Sequence, residues 1–147
     1  MPAGWHGKAW ARHQLSQIAQ GEWLLFTDAD TRHRPHSVAA AQHCARQERA
    51  DLLSLIPHMV IGSFWERVMM SLIPFAFAGV IPLPLLTRIR SPFLAGALGP
   101  FMLFCRSTYT RLGGHDSIRD DIVEDVFLAR QVKRAGGRIA MADGMQH

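Results

Sequence analysis

A chain of 147 residues holds one domain of ordinary size. It carries 16 Lys+Arg against 12 Asp+Glu, a formal charge of +4, with 19% charged and 48% hydrophobic residues, which excludes a disordered tail. The basic residues, 14 Arg and two Lys, are scattered, with no Lys/Arg-rich block and no aromatic-interleaved stripe, so a nucleic-acid partner is not expected.

No apolar run follows a basic end at the start, so no signal peptide is expected. Lys8–Gln20 reads as a helix, with Ala9, Trp10, Leu15, Ile18 and Ala19 roughly on one face and Gly21 ending it. Glu22–Thr27 is an apolar run closing on Asp28, the pattern of a strand buried on both faces of a largely parallel sheet. Pro35–Arg49 reads as a second helix and Asp51–Pro57 as a second buried strand. Strand, helix and strand make a βαβ unit, and Asp28-Ala29-Asp30 lies at the carboxyl end of its first strand, where such sheets carry their functional loops. Val68–Leu86 is uncharged but interrupted by Pro74, Gly79, Pro82 and Pro84. It reads as an interfacial or re-entrant apolar insert, a buried helix, or a membrane span. Gly96–Pro100 reads as a Gly-rich turn, Phe101–Cys105 as a buried strand and Ser107–Leu112 as a short helix stopped by Gly113-Gly114. Ile122–Ala135 is an amphipathic helix, with Val126, Leu128, Ala129 and Val132 inward and Lys133 and Arg134 at its end. Arg138–Met141 reads as a last strand. The expected fold is α/β, a mostly parallel sheet flanked by helices. The whole of 1–147 is expected to be a single partial domain lacking its first strand or strands, with the apolar insert at about 68–86.

Three groups of residues can carry chemistry. An extended Asp28-x-Asp30 points both carboxylates to one side, because strand side chains alternate. Hard oxygens of that kind suit Mg²⁺ or Mn²⁺, which bridges substrate phosphates. The alternative is a polar strand end capping the next helix. Asp120, Asp121, Glu124 and Asp125 crowd a helix start. Acids there favour the helix dipole, but four exceed what capping needs, and crowded carboxylates suit a general base. Gly4-Trp5-His6-Gly7-Lys8 lets backbone approach a ligand and offers a point charge to phosphate, although it is not a Walker A loop. A flexible entry to a helix explains it equally well. Cys44 and Cys105 lack the spacing of a zinc site and read as buried free thiols. His33-x-x-His36 is flanked by Arg32 and Arg34, which oppose a cation, and no serine-hydrolase turn is present.

Together these residues resemble the family 2 glycosyltransferases with a GT-A fold. The matching stretches are Gly4–Lys8, Trp23–Thr31, Gly99–Arg106, Gly113-Gly114-His115, and Val123-Glu124-Asp125 with Leu128 and Ala129, in the family's order. The Gly-Trp-x-Gly-Lys opening and the Pro-rich apolar insert are similar to the bacterial branch that glycosylates apolar lipids, including carotenoid-type and hopanoid-associated members.

The resemblance implies an inverting transferase that moves a sugar from a nucleotide-diphosphate donor to a hydroxyl or carboxyl acceptor, with an apolar lipid expected. It implies Mn²⁺ or Mg²⁺ on Asp30, with Asp28 at the nucleotide sugar or the metal's water shell, and Lys8 with Gly7 at the nucleotide or diphosphate. Asp125 would be the general base, with Glu124 beside it shaping the acceptor site. The expected place of action is the cytoplasmic face of a membrane, peripherally or through segments outside this chain. The alternative is a catalytically incomplete GT-A fragment serving as a membrane-surface or protein-interaction module. An Asp-nucleophile phosphohydrolase is disfavoured, because Arg32 stands where that chemistry needs Thr.

Overall fold

A computed structural model describes residues 2–58, 60, 62–69, 91, 95–118 and 123–144. Most of the apolar stretch Val68–Leu86, together with Asp120 and Asp121, lies outside the described residues. The elements in chain order are α1 (Gly7–Ile18), β1 (Trp23–Thr27), α2 (Ser37–Gln47), β2 (Leu52–Ile56), β3 (Phe101–Cys105), α3 (Arg106–Arg111), a 3₁₀ turn (Gly114–Ile118), α4 (Glu124–Arg134) and β4 (Ile139–Asp143). Residues 64–69 are also helical.

The four strands form one sheet in the order β1-β3-β2-β4. β3 is antiparallel to both β1 and β2, with Trp23 opposite Cys105 and Leu52 opposite Phe104, whereas β2 and β4 are parallel, with Leu52 opposite Ile139. β1, β2 and β4 therefore run one way, as a βαβ reading requires, and β3 runs the other way between them. The expectation of a mostly parallel sheet holds for strand direction and fails for neighbours. A buried apolar strand such as Phe101–Cys105 fits either orientation, since periodicity carries no sign of direction.

Alternation along the strands divides the core. Met102 and Phe104 of β3 join Leu24, Phe26, Leu52, Tyr109, Ile118, Leu128 and Val132 on the face covered by α4 and the 3₁₀ turn. Phe101 and Leu103 join Leu53, Leu55, Ala41, Ala45 and Ala140 on the face covered by α2. Leu128, Ala129 and Val132 of α4 are buried as their spacing predicts, and Val126 is half-buried. α1 departs from its predicted face. It buries Ala9, Arg12 and Ser16, and leaves Leu15 60% and Ile18 74% exposed. The face that turns inward carries Arg12, whose guanidinium finds carboxylate partners inside, and a buried charge is tolerated only where it is paired in this way. Cys44 and Cys105 are free thiols, half-buried rather than buried.

Candidate active site

α1 carries Lys8 and Arg12 four residues apart, so both project from one face of the helix. That face meets Asp28, which leaves the carboxyl end of β1. Asp28 Oδ1 lies 2.7 Å from Lys8 Nζ and 2.8 Å from Arg12 Nη2. Glu124, the first residue of α4, places Oε1 2.5 Å from Arg12 Nη1 and 3.6 Å from Lys8 Nζ. Two cations thus share the same two carboxylate oxygens but differ in access: the Lys8 side chain is 54% exposed and that of Arg12 7%. Gly7 and Lys8 open α1, whose first turn has no acidic residue and no side-chain cap, leaving its amides without side-chain partners.

Asp125 lies one residue further along α4, about 100° around the helix from Glu124. Its Oδ2 accepts the Gly99 N–H at 3.0 Å and its Oδ1 accepts the Val126 N–H at 2.8 Å. A Cβ built on Gly99 would stand 3.4 Å from Asp125 Oδ2, 3.8 Å from Asp28 Oδ2 and 3.9 Å from Lys8 Nζ. The bare face of Gly99 is therefore where groups from α1, β1 and α4 meet. Asp28, Lys8 and Asp125, far apart in sequence, are brought together around Gly99.

The Gly99 loop is held from four sides. Ser54, in the middle of β2, donates to Leu98 O at 3.3 Å and accepts Leu98 N–H at 2.8 Å. Thr27 at the end of β1 donates to Pro100 O at 3.1 Å. Arg12 Nη2 reaches Gly99 O at 3.4 Å, and Asp125 takes the Gly99 amide. A serine in an otherwise apolar strand is the one sign of this anchor that the sequence offers.

Asp30 behaves differently from the extended Asp-x-Asp expected. The chain turns immediately after Asp28, with Thr31 donating its N–H to Asp28 O at 3.2 Å and its hydroxyl to the same oxygen at 2.7 Å. His33 Nε2 lies 2.9 Å from Thr27 Oγ1, and its ring packs on Phe101, which ties the turn down. Asp28 consequently points inward while Asp30 is exposed, with no hydrogen bond or ion pair among the described residues. No group of three or more His, Cys, Asp or Glu among the described residues is placed to hold a metal ion. The oxygens left over, the Asp30 carboxylate and Asp28 Oδ2, are hard donors. Donors of that kind suit Mn²⁺ or Mg²⁺ taken up together with phosphates, which needs one or two carboxylates rather than a full protein cage.

Behind Glu124 lies His115, fully buried. Tyr109 Oη accepts the His115 backbone N–H at 3.1 Å and lies 2.6 Å from His115 Nδ1. Among the described residues His115 Nε2 has no hydrogen-bond partner, and it faces Glu124 Oε2 at 3.8 Å. Burial, and then the positive charges of Arg12, His13 and Lys8, push the imidazole down to about 3. Burial likewise pushes the Tyr109 phenol up. Sequence reading did not assign roles to Arg12, Ser54 or His115. The four-residue spacing from Lys8 was the available signal for Arg12, and none existed for the role of His115.

This α/β architecture, with charged groups converging over a glycine at the strand ends, is the GT-A fold. The chain belongs to glycosyl transferase family 2, which it matches over residues 1–113. Among solved structures it is similar to the mannosyltransferase PcManGT from Pyrobaculum calidifontis in complex with GDP-Man and Mn²⁺. The TM-score is 0.64 at 22% identity over 94% of this chain, which spans 34% of that mannosyltransferase. No curated protein matches the sequence.

Proposed function

We propose that this chain carries the donor-binding and catalytic centre of an inverting glycosyltransferase that moves a sugar from a nucleotide-diphosphate donor to an acceptor hydroxyl or carboxyl. The observation that carries this reading is the convergence of Lys8, Asp28 and Asp125 on Gly99. Family membership supports the reaction class, and the complex of the similar mannosyltransferase with GDP-Man and Mn²⁺ supports the choice of donor and metal.

In this reading the diphosphate meets the uncapped first turn of α1, where Gly7 gives backbone access and Lys8 supplies an exposed charge. Asp30 and Asp28 Oδ2 would hold Mn²⁺ or Mg²⁺, which supplies charge neutralisation for the departing diphosphate. Asp125 takes the proton of the acceptor hydroxyl as its oxygen bonds to the anomeric carbon, and the sugar–diphosphate bond breaks on the opposite side. One displacement needs one base, and Glu124, the neighbouring carboxylate, is instead buried against Arg12.

An apolar lipid acceptor and a place at the cytoplasmic face of a membrane belong to the same proposal. Phe64 and Trp65, just before the uncharged stretch, and Met69 within it are all more than half exposed. Such clustering suits a lipid surface. No helix among the described residues is long and apolar enough to cross a membrane.

Titration calorimetry with GDP-mannose and Mn²⁺, alongside other nucleotide-diphosphate sugars, tests the donor site. Asp30→Ala is expected to remove the metal-dependent part of binding. Asp125→Asn is expected to keep binding and to lose transfer by about 10²–10⁴-fold. Metal-dependent binding unchanged in Asp30→Ala, or near-normal transfer by Asp125→Asn, would falsify these assignments.

A further inference from the structure

Glu124 is held at one oxygen and faced by a buried imidazole at the other. Oε1 takes the buried Arg12 guanidinium, and Oε2 faces His115 Nε2. Tyr109 Oη lies 2.6 Å from His115 Nδ1, and Nε2 faces Glu124 Oε2. In the tautomer in which Tyr109 donates its proton to Nδ1, the ring hydrogen sits on Nε2 and is directed at Glu124. At 3.8 Å the contact is open by under about 1 Å from a hydrogen bond. The same Arg12 holds Asp28 and reaches Gly99 O. With its side chain 7% exposed, Arg12 is closed to substrate, whereas Lys8 on the same oxygens is open.

We propose that Arg12 and His115 are positioning residues: they clamp Glu124 from its two sides and, through the first turn of α4, set Asp125 against Asp28. The proposal rests on the reading above, in which Asp125 is the base. A buried carboxylate between a fixed guanidinium and a neutral imidazole N–H has one orientation, and Asp125 is the next residue on the same rigid turn. Without the clamp, Glu124 keeps its charge but loses its direction, and the Asp125–Gly99 bond becomes the one fastening of that turn to the loop. The cost falls on the chemical step, because a base displaced by about 1 Å loses up to about 100-fold in rate while the donor site is untouched.

Two arms test this. The first compares His115→Leu with His115→Gln, whose amide keeps both an acceptor for Tyr109 and a donor for Glu124. His115→Leu is expected to lower kcat by about 10- to 100-fold with donor affinity unchanged, and His115→Gln to recover most of the loss. Equal losses in the two variants, or donor affinity falling in step with kcat, would overturn the proposal. Should His115→Leu fail to fold, Tyr109→Phe decides in its place, since it removes only the hydroxyl that fixes the tautomer. The second arm needs no substrate. ¹⁵N NMR of the unliganded protein should show His115 as the neutral Nε2–H tautomer between about pH 5 and pH 8, with its signals displaced by Glu124→Gln. An Nδ1–H tautomer, or signals indifferent to Glu124→Gln, would overturn the clamp. A wild-type chain that turns over no nucleotide sugar yet passes the NMR arm counts against the proposed function and leaves the clamp standing.

Discussion

Gly114 adopts φ +53, and a Cβ there would drive into the Tyr109 ring, within contact of both its Cζ and Cε1. Backbone and packing both demand glycine, so Gly114→Ala is expected to cost about 1–3 kcal/mol in urea unfolding, well above an ordinary surface change. Its neighbour His115 makes a second prediction. The imidazole is held neutral in the fold, down to about 3, but takes a proton near its ordinary value of 6.5 when unfolded. Below pH 6.5 the unfolded chain therefore binds the extra proton. The stability His115 contributes is complete above that pH and is lost as pH falls toward about 3. The slope is about 1.4 kcal/mol per pH unit. His115→Gln should flatten this part of the pH–stability curve, and a variant as steep as wild type would show that another group sets it.

At the scale of elements, the Gly99 loop matters more than any helix. Ser54 satisfies both the N–H and the carbonyl of Leu98 from inside β2. Ser54→Ala should cost about 1 kcal/mol or more, because two half-buried backbone groups lose their partner. It should also weaken transfer more than donor binding, measured as a kcat loss with little change in KM, since the loop seats Asp125. The strands were legible in the sequence almost to the residue, because continuous apolar runs bounded by charge leave few alternatives. The face of α1 was not. Leu15 and Ile18 obey the hydrophobic pattern and are exposed, and Arg12 violates it and is buried. Periodicity counts apolar residues and is blind to carboxylates that arrive from β1 and α4. Asp28 and Asp125 could be singled out as candidate site residues for the same reason that Asp30's geometry could not be foreseen. Their chemistry shows in residue type, whereas the turn after Asp28 depends on Thr31 and His33 bonding back to β1.

At the scale of the whole molecule, the sheet order was the part the sequence concealed. Local pattern placed β1, α2 and β2 as consecutive elements, and β3 as one more buried strand. That β3 stands between β1 and β2 depends on pairings such as Trp23 with Cys105, which no local window contains. The order has a kinetic consequence. β1 and β2 precede β3 in the chain and are not paired with each other, since each pairs with β3 instead. Until Phe101–Cys105 has left the ribosome, both strands present open edges, the state in which chains add to one another. Joining such distant strands closes a long loop before any contact rewards it, so refolding should be slow for the size of the sheet. In pulsed hydrogen exchange, amides of β1 and β2 should gain protection in step with those of β3. Protection of β1 ahead of β3 would mean that the sheet assembles by another route. The last-arriving central strand thus makes solubility during translation, rather than final stability, the property most exposed to mutation in β3.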